Sequence, residues 1–396
     1  MGERNLSRRA VLAAAALTAT AGCNRLLEDS APRDDGETVD GFEIETVAEG
    51  FRAPWGIEFL PDETLLVTER DGGDLARVDH ETGDVTQIAD TPEVDTSGQG
   101  GLLDVTVHPE FSDNHWVYLT YSAANDDGET ATHLGRGRLN DNSAALEQFT
   151  MLYATEFHNS TQHYGSRVVF GEDGALYLTT GDRGDKTFDT PEEHLSQQTT
   201  NAHGATIRLT PDGSVPDDNP FLDDDGVLDE IYSYGHRNAQ GMTVHPETGE
   251  LWQSEHGEND GDELNIIETG GNYGWPVTHT GCEYGTTNPV GERPEDRDDI
   301  VNPVYYWECG TGGFPPAGMV FYDGEAFPDW QGDLFVGNLA GQYLGQFAVD
   351  GRDVTETGAL LTGENWRIRD VGVGPDDCLY VIIDADDAPL IRLRPE

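Results

Sequence analysis

Arg237 and Asn238 lie side by side in SYGHRNAQG, residues 233–241, a glycine-flanked turn that also carries His236. The chain has 22 lysines and arginines against 76 aspartates and glutamates, so a cation held in a turn asks for a reason. A guanidinium is permanently charged and presents its donors in a fixed fork. Beside an asparagine amide it makes a seat for an anion. A solvated surface arginine is the other reading. The run GENDGDE, residues 257–263, has the oxygen-rich composition of a calcium loop, although acidic runs are common in this chain. Cys282 and Cys309 stand in the glycine-rich stretches GCEYG and ECGTGG, which could face each other and form a disulfide. Cys378 lies in a strand-like run and reads as a small apolar core residue. No CxxC or paired Cys/His spacing suggests zinc.

The formal net charge of −54 excludes attraction to nucleic acid or to an anionic membrane face. Disorder does not follow from it, because 7 Trp, 14 Tyr and 14 Phe are spread along the chain. A folded protein with an acidic surface adapted to concentrated salt is expected. At molar salt the Debye length falls to about 3 Å and self-repulsion is screened. Lys186 is the one lysine, which fits the same picture.

The N-terminal stretch SRRAVLAAAALTATAGC reads as targeting rather than fold. Its apolar run is shorter than the roughly 20 residues that span a bilayer. Arg8 and Arg9 resemble a twin-arginine export signal, and the small residues before Cys23 resemble a lipoprotein processing site. The expected division is a signal over residues 1–22, an acidic flexible stalk over 23–41 and a catalytic domain over 42–396. Lipid attachment at Cys23 would hold the protein at the extracellular face of the membrane. A plain cleaved signal is the alternative.

What must position Arg237 is a repeated phrase, a turn followed by a short apolar strand. It occurs as DETLLVTER, NHWVYLTYS, DGALYLTTGD, TGELWQSEHG, QGDLFVGNLA and DDCLYVIID. Each is preceded by a second apolar segment: PWGIEFL, LLDVTVHP, GSRVVFG, QGMTVHP, AGMVFY and IRDVGVG. Six such units without helices between them predict an all-β, six-bladed β-propeller. A β-sandwich would not explain the sixfold phrase. The polar residues after the second phrases, ER, GDRGD, SEHGENDGDE and NLAGQY, are expected to meet at one end of the channel.

From about Phe42 to the C-terminus the motif order is similar to that of the soluble pyrroloquinoline-quinone (PQQ)-dependent aldose sugar dehydrogenases, the glucose/sorbosone dehydrogenase family. The likeness rests on HYGSRVVFGEDGALYLTTGDRGD, SYGHRNAQGMTVHPETGELWQSEHGENDGDELN, GGNYGWP and WRIRDVGVGPDDCLYVIID, with PWGIEFLPDETLLVTER and GQGGLLDVTVHPEF as opening blades. The resemblance implies oxidation of an aldose at C1 to a lactone, with PQQ as hydride acceptor, Ca2+ beside it and an unknown external electron acceptor. His163 would be the base; Arg237 and Asn238 would contact the quinone, and so would Gln99. Arg367 and Arg369 would meet its carboxylates, with strand alternation placing both on one face. The main-chain carbonyls of Gly257 and Glu258 would hold calcium, and the Glu263 side chain with the Tyr273 carbonyl a second one. Two positions depart from the family pattern: Ala340 where a lysine is usual, and Glu258 where a proline is. Trp307 and Tyr343 either cover the quinone or the sugar, or pack between blades. Two rival functions stay open, a calcium-dependent lactonase and a non-catalytic binding propeller. The lactonase would leave the arginines without an anion; the binding propeller is favoured by Ala340 and Glu258.

Overall fold

A computed structural model of the chain describes residues 41–140 and 144–396. The expected signal, Cys23 and residues 23–40 of the expected stalk lie outside them. Six four-stranded antiparallel sheets follow one another around a central channel, as expected for a six-bladed propeller. The innermost strands are Pro54–Phe59, Leu102–Val107, Val168–Phe170, Ala239–Val244, Pro316–Phe321 and Ile368–Val373. They are the six segments that precede the repeated phrase. The phrase itself forms the second strand of each blade: Leu65–Glu69, Trp116–Ala124, Leu176–Thr179, Leu251–Glu255, Leu334–Asn338 and Leu379–Ile383. These second strands are almost wholly buried, as strands sandwiched between neighbouring blades must be. Among the described residues, helix is confined to Phe111–Asn114 and a few 3-10 turns. No helix among the described residues is long and apolar enough to cross a membrane.

The last blade is completed by the first strand. Phe42–Phe51 pairs antiparallel with Ala388–Pro395, so the two ends of the propeller close the ring in one sheet. Sequence reading had missed this strand and the outer strands of every blade.

Side chains of the inner strands tie the channel together. Arg167 Nη1 lies 2.8 Å from Asp104 Oδ1 and 2.9 Å from Asp370 Oδ2, and its Nε donates to the Gln240 carbonyl. Asp370 also accepts the Ile57 amide, and Asp104 the Val168 amide. Five blades thus meet in one knot. At Gly318 any Cβ would run into the Asp370 carboxylate, so the close approach requires glycine. Register shifts interrupt the inner pairing at Pro54/Ile57, Leu102/Val105, Ala239/Gly241, Pro316/Met319 and Ile368/Asp370. Such bulges re-aim side chains, and here they accompany Asp104, Gln240 and Arg369.

Aromatic packing fills the space between the fourth and fifth blades. Trp307 stacks on Phe314 at 4.4 Å, and Tyr343 meets Phe314 edge-on at 5.4 Å. Both belong to the cluster of Trp252, Phe321 and Phe347, which is the packing alternative for these two residues. Cys282 and Cys309 form the expected disulfide, with Cα atoms 5.4 Å apart, and Cys378 is a buried free thiol.

Candidate functional site at the channel mouth

In an antiparallel pair the start of one strand lies beside the end of its partner. Residues before each inner strand therefore share one end of the channel with residues after each second strand. That end gathers Gln99, His163, Arg237, Asn238 and Arg367 from the first set, with Arg369 from the start of the last inner strand. Arg70, Asp182, His256, Glu258 and Asp384 come from the second.

His163 occupies the left-handed region at φ 49°, a conformation that costs a non-glycine residue roughly 1–2 kcal/mol. Its amide donates to Gln99 Oε1 at 2.8 Å, which holds the strained backbone. The imidazole is fixed by Asp182, whose Oδ1 lies 2.6 Å from Nδ1. Asp182 also accepts the Gly184 amide at 2.7 Å and the Trp275 indole N–H at 2.8 Å. Burial alone would raise the Asp182 pKa, but His163 and Arg237 outweigh it and hold the carboxyl well below its usual range. An ionised Asp182 can only accept, so the proton sits on His163 Nδ1 and Nε2 keeps its lone pair. Burial lowers the His163 pKa, opposed by Asp182 and assisted by Arg237. The ring is a neutral, oriented base.

Arg237 is 5% exposed. Its amide is taken by Glu255, its Nη1 reaches the His256 carbonyl at 3.3 Å, and its Nη2 lies 3.1 Å from Glu258 Oε2. The guanidinium carbon lies 5.2 Å from the centroid of the Trp275 ring. Glu258 is held from the other side by Lys186, whose Nζ is 2.9 Å from both carboxylate oxygens. Asn238 is buried and accepts the Gly165 amide through Oδ1 at 3.1 Å. His236 belongs to the core: it stacks on Tyr273 at 4.5 Å and bonds Glu255.

Arg367 and Arg369 converge on Asp384 Oδ2, at 2.9 Å and 3.1 Å. Arg70 faces the other oxygen at 3.8 Å. Asp370, next to Arg369 in sequence, is taken by Arg167 instead. Burial would raise Asp384, yet Arg369, Arg367 and Arg70 together hold it far below the usual range. Burial pushes the Arg369 pKa down to about 10; Asp384 opposes this, while Arg70 and Arg367 add to it. His256 joins the two halves of the mouth. Its pKa is driven well down first by burial, then by Arg237, Arg369, His163 and Arg367.

The expected residues His163, Gln99, Arg237, Asn238, Arg367, Arg369, Gly257 and Glu258 therefore share one mouth. Glu263 and Tyr273 stand behind it: Glu263 pairs with Glu255 across the strands, and Tyr273 stacks on His236. The Glu263 carboxylate turns to Thr280 at 3.1 Å and His279 at 3.6 Å. The Tyr273 hydroxyl bonds the Ile266 carbonyl at 2.6 Å. Sequence reasoning missed Asp182, Trp275, Arg70 and Asp384. A signal was available for Arg70, Asp182 and Asp384, which lie just after second strands. Trp275 sits in a quoted motif but had no spacing to single it out.

The donor set fits a polyanion. Arg237 Nε and Arg369 Nε are buried and have no hydrogen-bond partner, and three guanidiniums share one carboxylate at Asp384. The Gly257–Glu258 turn offers oxygen donors only, the type a hard cation takes. Among the described residues no group of three or more His, Cys, Asp or Glu side chains is arranged to hold a metal ion.

Comparison with known proteins agrees with this geometry. The profile of the glucose/sorbosone dehydrogenases matches residues 51–392. The chain is 37% identical over 358 residues to aldose sugar dehydrogenase YliI of Escherichia coli, covering 89% of this chain and 92% of that protein. The crystal structure of the soluble aldose sugar dehydrogenase of Escherichia coli in its apo form superposes with a TM-score of 0.83 at 36% identity, covering 90% of this chain and 100% of the other. The PQQ-bound aldose sugar dehydrogenase of Streptomyces coelicolor does so with a TM-score of 0.73 at 29% identity, covering 92% and 100%. By profile, sequence and fold alike, the chain belongs to the glucose/sorbosone dehydrogenase family.

Proposed function

We propose that the protein is a quinoprotein that oxidises aldose sugars at C1 to lactones, with PQQ bound at the channel mouth. The observation that carries this reading is the juxtaposition of a neutral, Asp182-held imidazole with an excess of guanidinium groups, of which Arg237 and Arg369 are buried. A lactonase or a binding module would have no use for the second of these. When bound, the quinone supplies a two-electron acceptor for the hydride that leaves C1, and Ca2+ at the Gly257–Glu258 carbonyls would polarise it.

The protein's own residues do the rest. His163 Nε2 takes the C1 hydroxyl proton, and Asp182 stabilises the resulting imidazolium. Gln99 keeps the ring in place through the His163 amide. Arg237 and Asn238 would hold the carbonyl side of the quinone, and Arg367 and Arg369 its carboxylates. An external electron acceptor would complete the reaction. The Arg8–Arg9 pair and Cys23 support export and lipid anchoring at the outer membrane face; Cys23→Ser should release the protein into the medium.

The test is dye reduction by purified protein in concentrated salt with glucose and other aldoses, with and without added PQQ and calcium. Activity is expected only when both are present. His163→Ala should lower turnover by about a thousandfold or more while PQQ still binds. Near-normal turnover in that variant would remove the base role. Absence of activity and of PQQ binding would remove the assignment.

A further inference from the structure

We propose that Arg70 is a third cation of the cofactor seat, acting with Arg367 and Arg369 on the carboxylates of the quinone. This deepens the functional reading above and rests on it. Arg70 follows the second strand of the first blade, Leu65–Glu69, and its backbone is pinned on both sides. Its amide donates to the Ala53 carbonyl at 3.1 Å, and its carbonyl accepts the Leu102 amide at 3.3 Å. Gly101 lies against it at φ 140°, where any Cβ would strike both the Arg70 carbonyl oxygen and its Cγ. Glycine there clears the path of the Arg70 stem into the mouth, two residues from Gln99.

The guanidinium is aimed at Asp384 without being satisfied by it. The 3.8 Å between Nη1 and Asp384 Oδ1 is too long for a hydrogen bond. Nε bonds Asp71, a carboxylate whose side chain is 48% exposed and whose charge solvent screens. Asp384 is the one buried carboxylate facing three guanidiniums, which leaves a local excess of two positive charges. Of the three, only Arg369 is buried, at 5% side-chain exposure; Arg70 at 19% and Arg367 at 42% open onto the mouth, so in a chain of net charge −54 this local cationic excess is within reach of an anionic ligand. The lone lysine cannot serve, since Lys186 is engaged by Glu258 and position 340 is alanine. Arg70 thus takes the place of a missing lysine, from a different blade.

The alternative is that Arg70 only clips the first blade to the last. The two roles separate in a PQQ titration followed by absorbance or quenching, at one fixed salt concentration, with wild type, Arg70→Gln and Arg70→Lys. Thermal unfolding of the ligand-free proteins is measured alongside. Arg70→Gln is expected to raise the Kd for PQQ about tenfold to a hundredfold. Arg70→Lys should recover part of that, and the ligand-free melting temperatures should stay within about 2 °C of wild type. A Kd within about twofold of wild type in Arg70→Gln overturns the inference and leaves the functional reading standing. So does a ligand-free melting drop above about 5 °C that Arg70→Lys does not repair, which marks a clip. A wild-type protein that does not bind PQQ overturns both.

Discussion

Two arginine clusters share the channel, each reaching Trp55, and their balance is opposite. The Arg167 guanidinium carbon lies 4.6 Å from the Trp55 ring centroid and that of Arg369 lies 5.9 Å from it. Gln240 serves both, giving its carbonyl to Arg167 and its side-chain oxygen to Arg369. In the knot, one guanidinium meets two buried carboxylates, which in turn accept backbone amides from other blades. At the mouth, three guanidiniums meet one carboxylate. Burial pushes Asp104 up to about 7, with Arg167 opposing and Asp370 adding to it, whereas Asp384 is held far down. The same residue types therefore do different work according to their ratio. An excess of acid around one arginine closes the ring; an excess of arginine around one acid recruits an anion.

Four variants would break or sharpen that division. Arg167→Met leaves Asp104 and Asp370 buried without a cation and should cost about 3–5 kcal/mol of stability by thermal or denaturant unfolding. If instead it melted like wild type and lost PQQ affinity, the knot would be part of the seat. Asp182→Asn keeps the shape of the His163 partner but removes its charge. Turnover should fall by about a hundredfold or more with PQQ affinity little changed. Asp182 raises the His163 pKa against burial. Its loss moves that pKa lower still, so the acid limb of the kcat/KM profile shifts to lower pH in this variant. A shift to higher pH would contradict the assigned charge relation. Arg369→Gln should weaken PQQ binding by about 1.5–3 kcal/mol in titration. Relief of repulsion from Arg70 and Arg367 should leave the ligand-free melting temperature unchanged or higher. Smallest is Lys186→Gln. The Lys186 side chain is 58% exposed, so loss of its pair with Glu258 should change stability by under about 1 kcal/mol. A larger loss would make that pair a strut of the mouth.

The propeller was legible because each blade repeats one apolar phrase at a turn, and burial on both faces leaves that phrase little freedom. Outer strands such as Val85–Ile88 and Glu147–Ala154 were not, since they are largely exposed and carry weak patterns. His163, Arg237, Gln99, Asn238, Arg367 and Arg369 were found by motif, and the structure brings them to one mouth. The partners that set their chemistry were harder to see. Asp182 acts on His163 from 19 residues away and Asp384 on Arg367 from 17, and in a sequence this rich in acids their place just after a second strand is the sole mark that sets them apart. Trp307 and Tyr343 show the converse limit: an aromatic in a loop, or at the start of a strand as Tyr343 is, looks like a stacking surface until its neighbours are known.

The closure of the ring by Phe42–Phe51 and Ala388–Pro395 has a consequence for the order of events in the cell. Arg70 belongs to the first blade, while Arg367, Arg369 and Asp384 belong to the last. The anion seat straddles the seam between the first and last blades. It cannot exist until the last blade has been made and closed against the first, and a copy truncated or misclosed within the propeller lacks it. Anion binding there therefore reports ring closure: only a closed propeller can be charged.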